Sequence, residues 1–319
     1  MSLEFKVTLV IPILNEASSL LELLESIRAQ TLLPDEVIFC DAGSTDSSPE
    51  IIREWWNLKS WSSTSLEIIL LPGAMPGAGR NAGIRSAKNN WIAFLDGGII
   101  PQVDWLRNLC IFAKNTGAQA VFGLCNFSGH TPFSRAVCAL SYGEGSSHPV
   151  IPASLFSRCV FEKVGYFQEQ LRAGEDILWL RHFLAHYKTR HICFEAQVSY
   201  IQFPNNWLKA ARKWRMYEYH CVKAGVRGVQ QYLYLLAMPL VLFSVFEEGA
   251  YGWGLLLAYL VLRGIIDPIR RSKSKPWWGS SLRAALIAPL LVLLLDTSKW
   301  CGIVQGMTSK FFKKIGDVK

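Results

Sequence analysis

The chain has 319 residues, half of them hydrophobic and only 18% charged, with a formal net charge of +8. That length allows one or two domains around a sizeable core, and a mean hydropathy of +0.20 is high for a purely soluble protein. The positive balance does not mark a nucleic-acid binder: no such signature occurs, and the densest basic clusters (Lys209 to Arg215, Arg270 to Lys275, Lys310 to Lys314) flank apolar runs, where anionic lipid headgroups would meet them. The eight cysteines are scattered without CxxC or His/Cys spacing, which excludes a zinc site of that kind and reads as free thiols in a reducing compartment. Twelve tryptophans add to the expectation of a membrane partner.

In chain order, "VTLVIPI" (Val7–Ile13) is a continuous apolar run of strand length, as expected where helices cover both faces of a sheet. "ASSLLELLESIRAQ" places Leu20, Leu23, Leu24 and Ile27 on one helical face. "EVIFCDAG" reads as a second strand, and Ser44-Thr45-Asp46 offers caps for the helix "SPEIIREWW". "LEIILLPG" is a third strand, "GAGRNAGIRSAK" a glycine-opened helix and "WIAFLDGG" a fourth strand. Strands and helices in alternation predict an α/β fold, a Rossmann-like, mostly parallel sheet with helices on both faces. Further on, "AQAVFGLCNF" and "HICFEAQVSYIQF" read as strands, "LRAGEDILWLRHFLAH" as a loop entering a helix, and "NNWLKAARKWRMYEYHCVKAG" as a basic and aromatic helix.

From about residue 229 the chain turns apolar. We expect a soluble domain over 1–228 and a membrane-associated helical region over 229–319. Crossings are expected at 232–246 and 249–266, broken by Glu247-Glu248, and a third apolar segment at 284–307, interfacial or re-entrant. Six basic residues between Arg263 and Arg283 place that linker in the cytoplasm. The N-terminus shows no basic-then-apolar leader, so the first domain is expected on the same side.

Ligands of such sheets bind at the carboxyl ends of the strands. Those ends carry Asn15-Glu16, Asp41 and Asp96, with the Gly77–Asn81 loop at the third. Asp41 suits a nucleobase or ribose, Arg80 and the helix start after the glycines suit a diphosphate, and Asp96 suits a divalent ion bridging two phosphates. Glu175-Asp176, where a loop meets a helix, reads either as a base with an orienting neighbour or as an acid pair favoured by the helix dipole.

"VIPILNE", "DAGSTD", "GAGRNAGI", "FLDGG" and "GEDILWLRHF", in that order over roughly residues 5–225, resemble the family 2 glycosyltransferases of the GT-A fold. The apolar tail is similar to membrane-bound members that build glycolipids or surface polysaccharides. The resemblance implies an inverting transfer from a nucleotide-sugar donor to a hydroxyl acceptor, lipid-linked or a polysaccharide precursor, by a multi-pass protein of a bacterial inner membrane. Pro12, Asn15, Glu16 and Asp41 would hold the nucleoside, Arg80 the diphosphate, and Asp96 ribose or a Mg2+ or Mn2+ ion. Asp176 would be the base with Glu175 beside it, and Arg212 and Trp214 would lie on a later phosphate-contacting helix. Two positions depart from the pattern: Ala42 where an acid is common, and Gly98 where the second metal-binding acid is usual. A polyprenyl-phosphate acceptor, a non-catalytic scaffold, and a nucleotidyl-transferring enzyme are the alternative readings.

Overall fold

Strands β1 (Val7–Ile13), β2 (Glu36–Asp41), β3 (Ser65–Leu70) and β4 (Trp91–Phe94) form on the four apolar runs, in a computed structural model that describes residues 5–59, 63–247 and 249–316. β1 and β2 are buried along nearly their whole length, as strands covered on both faces must be. They pair in parallel in the order β3-β2-β1-β4. Helices α1 (Ala17–Arg28), α2 (Ser48–Leu58) and α3 (Pro76–Ser86) make the crossovers.

Beyond β4 the sheet changes character. β5 (Ile99–Pro101), β6 (Ala120–Phe127), β7 (Ser146–Pro149), β8 (Leu155–Ser157) and β9 (His191–Tyr200) complete it, interspersed with α4 (Trp105–Thr116), α5 (Pro132–Ser141), α6 (Arg158–Val164) and α7 (Glu175–Tyr187). β8 runs antiparallel to both β4 and β6, and β5 antiparallel to β9. The α/β sheet is therefore parallel over its first four strands and mixed over all nine. The short strands β5, β7 and β8 were not legible in the sequence, because three or four residues carry no usable alternation.

The chain condenses into two compact units: one runs to Asn126 and resumes over Ser147–Gln202, and the other comprises Phe127–Ser146 and the chain from Phe203 onward. In the first, α3 lies close on β1. A Cβ on Gly83 would stand 2.3 Å from Val10 Cγ1 and 2.9 Å from Cγ2. Helix propensity alone favours alanine over glycine by about 1 kcal/mol, but overpacking costs about 1–3 kcal/mol, so the clash wins. Gly83→Ala is expected to lower the thermal midpoint by about 2–4 °C per kcal/mol lost, and Val10→Ala in the same chain to recover part of it. An unchanged midpoint would mean that α3 can ride off the strand at no cost.

Behind the strand exits lies an aromatic block. Phe94, Phe122, Phe156, Phe161, Phe167, Trp179 and Phe183 are all buried in one cluster. Trp179 stacks on Phe167 at 5.1 Å and donates its indole N–H to Gly165 O at 2.9 Å. Aromatic pairs add about 0.5–1.5 kcal/mol each beyond area burial. This block fixes the first turns of α7, where the acid pair sits.

In the second unit, α8 (Trp207–Ala224) is capped by Asn206, whose side chain accepts Lys209 N–H at 2.9 Å. α9 (Val229–Glu247), α10 (Ala250–Val261), a π-turn (Leu262–Ile266), α11 (Asp267–Arg271) and α12 (Leu282–Gly316) follow. Among the described residues, two helical stretches are long and apolar enough to cross a membrane, Ala250–Arg271 and Leu282–Lys310. The run expected at 232–246 lies in α9, with Pro239 inside it, and the run expected at 249–266 extends helically through Arg271. The segment expected at 284–307 lies within one continuous helix, α12. Glu248, half of the expected break between the first two runs, lies outside the described residues. Leu240, Phe243, Phe246, Trp253, Leu257 and Leu286 are exposed on this unit, as lipid-facing side chains would be. α12 approaches α8 closely through Gly302 and Gly306: a Cβ on Gly302 would stand 2.2 Å from Arg215 O, an approach that only small residues allow.

Charges inside this unit are paired. The Arg263 guanidinium bonds Asp296 at 3.0 Å and also reaches Asp267, while Asp296 also accepts the Tyr259 hydroxyl at 2.7 Å and the Lys299 ammonium at 3.0 Å. Removing one partner of a buried ion pair costs about 3–5 kcal/mol, because the other charge is left alone. Arg263→Ala is expected to lower the melting midpoint of the detergent-solubilised protein more than Arg263→Ala with Asp296→Asn. Additive losses would mean the network is not energetically coupled.

Candidate active site

The centre of the site is a buried cation. Arg80 projects from α3 and is 3% exposed. Its Nη2 donates to Asp96 Oδ1 at 2.8 Å and its Nη1 to Glu175 Oε1 at 2.7 Å, and the Phe167 ring centroid lies 5.6 Å from the guanidinium carbon. Burial works against this charge, but Asp96, Glu175 and Asp176 outweigh it and hold the guanidinium firmly protonated. Its buried Nε has no hydrogen-bond partner among the described residues. Asp96 sits at the exit of β4, so one arginine ties a strand end to the start of α7.

Glu175 and Asp176 open α7 behind Gly174, which adopts φ 83°. That left-handed conformation suits glycine, and it turns the chain so that both acids enter the first helical turn. The structure separates the pair. Glu175 is buried at 5% exposure and committed to Arg80. Asp176 is half-buried and accepts Ile177 N–H at 2.8 Å. Burial raises the pKa of Asp176, with the Arg80 charge opposing it. Burial raises Glu175 and Asp96 as well, again against Arg80. A carboxylate displaced toward neutrality is a stronger base when ionised.

The exits of β1 and β2 form an adjoining corner. Asn15, at φ 58°, accepts Thr45 N–H at 2.8 Å and donates its own N–H to Ser44 Oγ at 2.9 Å. Ser44 in turn donates to Asp41 Oδ1 through its hydroxyl at 2.6 Å and its N–H at 3.0 Å. Pro12 packs beneath Gly79, where an added Cβ would stand 3.2 Å from Pro12 Cβ. Asp46 reaches back to α1 and accepts Ala17 N–H at 3.0 Å. Glu16 accepts from Ser19 Oγ at 3.1 Å and from Gln202 Nε2; burial raises its pKa, and the Asp96 charge adds to the rise.

Arg80, Asp96, Glu175 and Asp176 are thus gathered around one point, with Glu16 coupled to it through Asp96. Asp41 belongs to the neighbouring Asn15–Ser44 corner and takes no part in the Arg80 bonds. Arg212 and Trp214 lie on α8, in the second unit. Arg212 is exposed and, with Arg215, Met216, Tyr219 and Gln305, lines an open hollow of about 290 Å³. Trp214 is buried, with the Lys299 ammonium 5.3 Å from its ring centroid.

The metal expectation rested on Asp96. Its Oδ1 is already paired with Arg80, Gly98 offers no side chain, and no three Asp, Glu, His or Cys side chains gather to hold an ion among the described residues. This donor set does not fit an ion held by the protein itself. Three contributors were missed in the sequence. Asn81 is 1% exposed, donates to Phe167 O at 2.8 Å and accepts Phe167 N–H at 2.9 Å, clamping α3 to the loop before α7. Its place beside Arg80 in "GAGRNAG" was the available signal. Phe167 and Gln202 had none, since each follows or precedes its element without a motif.

Residues 8–148 match the family model described as Glycosyl transferase family 2. Among curated proteins, the chain is 31% identical over 186 residues to the glycosyltransferase AglE of Haloferax volcanii, covering 55% of this chain and 60% of that one. It is 29% identical over 201 residues to the succinoglycan biosynthesis protein ExoO of Rhizobium meliloti, covering 56% of each. The chain therefore spans little more than half the length of the curated relatives it matches. A crystal structure of S. aureus TarS 1-349 in complex with UDP-GlcNAc aligns with a TM-score of 0.48 at 16% identity, over 92% of this chain and 90% of that one. Residues 8–148, less than half of the chain, are thus similar to the family 2 glycosyltransferases.

Proposed function

We propose that this chain is a membrane-associated, inverting glycosyltransferase that moves a sugar from a nucleotide-sugar donor to a hydroxyl of a lipid-linked or polysaccharide acceptor. The observation that carries the reading is the buried Arg80, bonded at once to Asp96 on the sheet and Glu175 on α7, with Asp176 left uncommitted beside them. The names of the relatives support the reaction class, and that of ExoO supports a polysaccharide product.

In this reading the Pro12–Glu16 and Asp41 corner takes the nucleoside. The donor's diphosphate lies toward α3, where the helix start favours negative charge and Arg80 offsets the charge of Asp96 and Glu175. Asp176 accepts the acceptor hydroxyl's proton as its oxygen attacks the anomeric carbon from the face opposite the leaving diphosphate. Glu175 holds Arg80 in place and takes no proton. An ionised phosphate acceptor would need no base, so an uncommitted Asp176 favours a hydroxyl. The two long apolar helices support a membrane setting, and the basic clusters beside them support one facing anionic lipid.

The test is turnover by the detergent-solubilised chain, offered UDP-, GDP- and dTDP-sugars with a lipid extract as acceptor source. Release of nucleoside diphosphate with one donor, dependent on Asp176, is the expected result. Binding of a nucleotide sugar without turnover in the presence of every acceptor fraction would replace this reading with the scaffold. Carbonate extraction checks the membrane half: release into the soluble fraction would remove it.

A further inference from the structure

The position expected to carry the second metal-binding acid is not merely vacant of one. A Cβ on Gly98 would stand 2.4 Å from Gln202 Oε1, 2.5 Å from its Cδ and 2.8 Å from its Cγ. Atoms do not approach so closely, so the space into which a side chain at 98 would grow is already filled by the glutamine. The neighbouring Gly97 is closed in the same manner, with a Cβ 2.6 Å from Glu16 Cγ.

Gln202 is not a loose surface side chain. Its Nε2 donates to Ser19 Oγ at 2.9 Å and to Glu16 Oε2. Its backbone carbonyl accepts the Tyr200 hydroxyl at 2.9 Å, and Ile201 N–H donates to Gly98 O at 3.2 Å. The chain leaving β9 is therefore laid along the turn after Asp96 and fastened to α1. The two carboxylates nearest this turn each have one oxygen engaged: Glu16 Oε2 with Gln202 and Ser19, Asp96 Oδ1 with Arg80. Divalent cations of the magnesium and manganese type require several oxygen ligands in near-octahedral geometry, and a carboxamide N–H turned toward Glu16 repels such an ion.

We propose that Gln202 is a positioning residue that occupies the side-chain space of the missing acid and closes this strand exit to a divalent ion, so that the free protein holds none there. Any metal in the reaction is then held by the phosphates of the donor and not by a preformed protein site. The inference rests on the proposed function for its bearing on the donor, but its test reads metal binding to the free protein and stands apart from turnover.

The experiment measures Mn2+ binding to the full chain in detergent, by the loss of free-ion electron paramagnetic resonance signal and by calorimetry, with no nucleotide present. The wild type is expected to show no saturable binding up to about 1 mM. Gly98→Asp combined with Gln202→Ala opens the space and installs the acid, and is expected to bind one Mn2+ at least about tenfold more tightly. Gln202→Glu changes no volume and sets a carboxylate in the same space beside Glu16 and Asp96; it is expected to gain binding too, and it decides the matter if the double variant does not fold. Saturable one-to-one binding by the wild type, abolished by Asp96→Asn, would overturn the proposal. So would a folded double variant and a folded Gln202→Glu that both bind no better than the wild type. Loss of donor turnover in any of these variants bears on the proposed reaction and leaves the metal result standing.

Discussion

The Asp176→Asn variant is expected to lose about 10²–10⁴-fold in kcat, the range that a positioned general base contributes. Donor KM should change little, because asparagine keeps the size and the hydrogen-bonding oxygen that accepts Ile177 N–H. The choice of Asp176 over Glu175 rests on the division of labour at the start of α7. Glu175 is buried and bonded to Arg80 at 2.7 Å, whereas Asp176 is half-buried and carries no bond to that cation. The pH profile gives a second readout. Burial raises Asp176 above the ordinary aspartate value of about 3.9. The base must be ionised to work, so kcat/KM is expected to rise with pH through a limb displaced upward from that value, and the limb should vanish in the variant's residual activity. The stability sign is opposite. A carboxyl whose folded pKa is raised contributes fully below its unfolded pKa and loses that contribution as pH rises through the folded value. Activity and stability should therefore trade against one another over the same window. Equal turnover by the two proteins would end the assignment, and a limb that survives in Asp176→Asn would move it to another group.

The parallel half of the sheet was legible because long, wholly apolar runs have one sensible location, between two helical layers. Val7–Ile13 and Glu36–Asp41 are such runs. The strand-end acids were legible by the same logic, since the exits of a parallel sheet point to one edge. The antiparallel half was not. β8 holds three residues and is wedged between β4 and β6 by contacts far apart in sequence, which no local pattern encodes. The site divides likewise. Arg80, Asp96 and the acid pair stood out as motif residues, but which acid of the pair is committed depends on where the guanidinium lands. Gln202 was invisible because its role comes from the absence of a side chain at Gly98, more than 100 positions earlier in the chain. A glycine reads as a lost acid in the sequence; only the packing shows what has taken its place.

Arg80→Ala should be the most damaging single change in the first unit. It removes the two bonds that tie α3 to the β4 exit and to α7, and it leaves Glu175 buried without a cation. Breaking a buried pair from one side costs about 3–5 kcal/mol. Glu175, with 6% side-chain exposure, carries most of that, since the Asp96 side chain is 37% exposed and partly screened. The thermal midpoint should fall by about 2–4 °C for each kcal/mol, and donor affinity should fall with it as the cation that offsets Asp96, Glu175 and Asp176 is lost. Lysine at this position keeps the charge but presents no planar pair of donors, so Arg80→Lys should retain one of the two bonds and an intermediate stability. The loss should also depend on pH in a fixed direction. Arg80 opposes the burial-driven rise at both Glu175 and Asp96; without it both pKa values climb further, the penalty is largest where both would be ionised, and it shrinks as pH falls and they take up protons. Adding Glu175→Gln to Arg80→Ala removes the orphaned charge, so the double variant should be more stable than Arg80→Ala alone, a non-additivity of the kind contacting residues show. If the two losses instead add, at neutral pH and at acid pH alike, then Arg80 is held by packing against Phe167 and not by its carboxylates, and the electrostatic centre on which the proposed chemistry depends is not one.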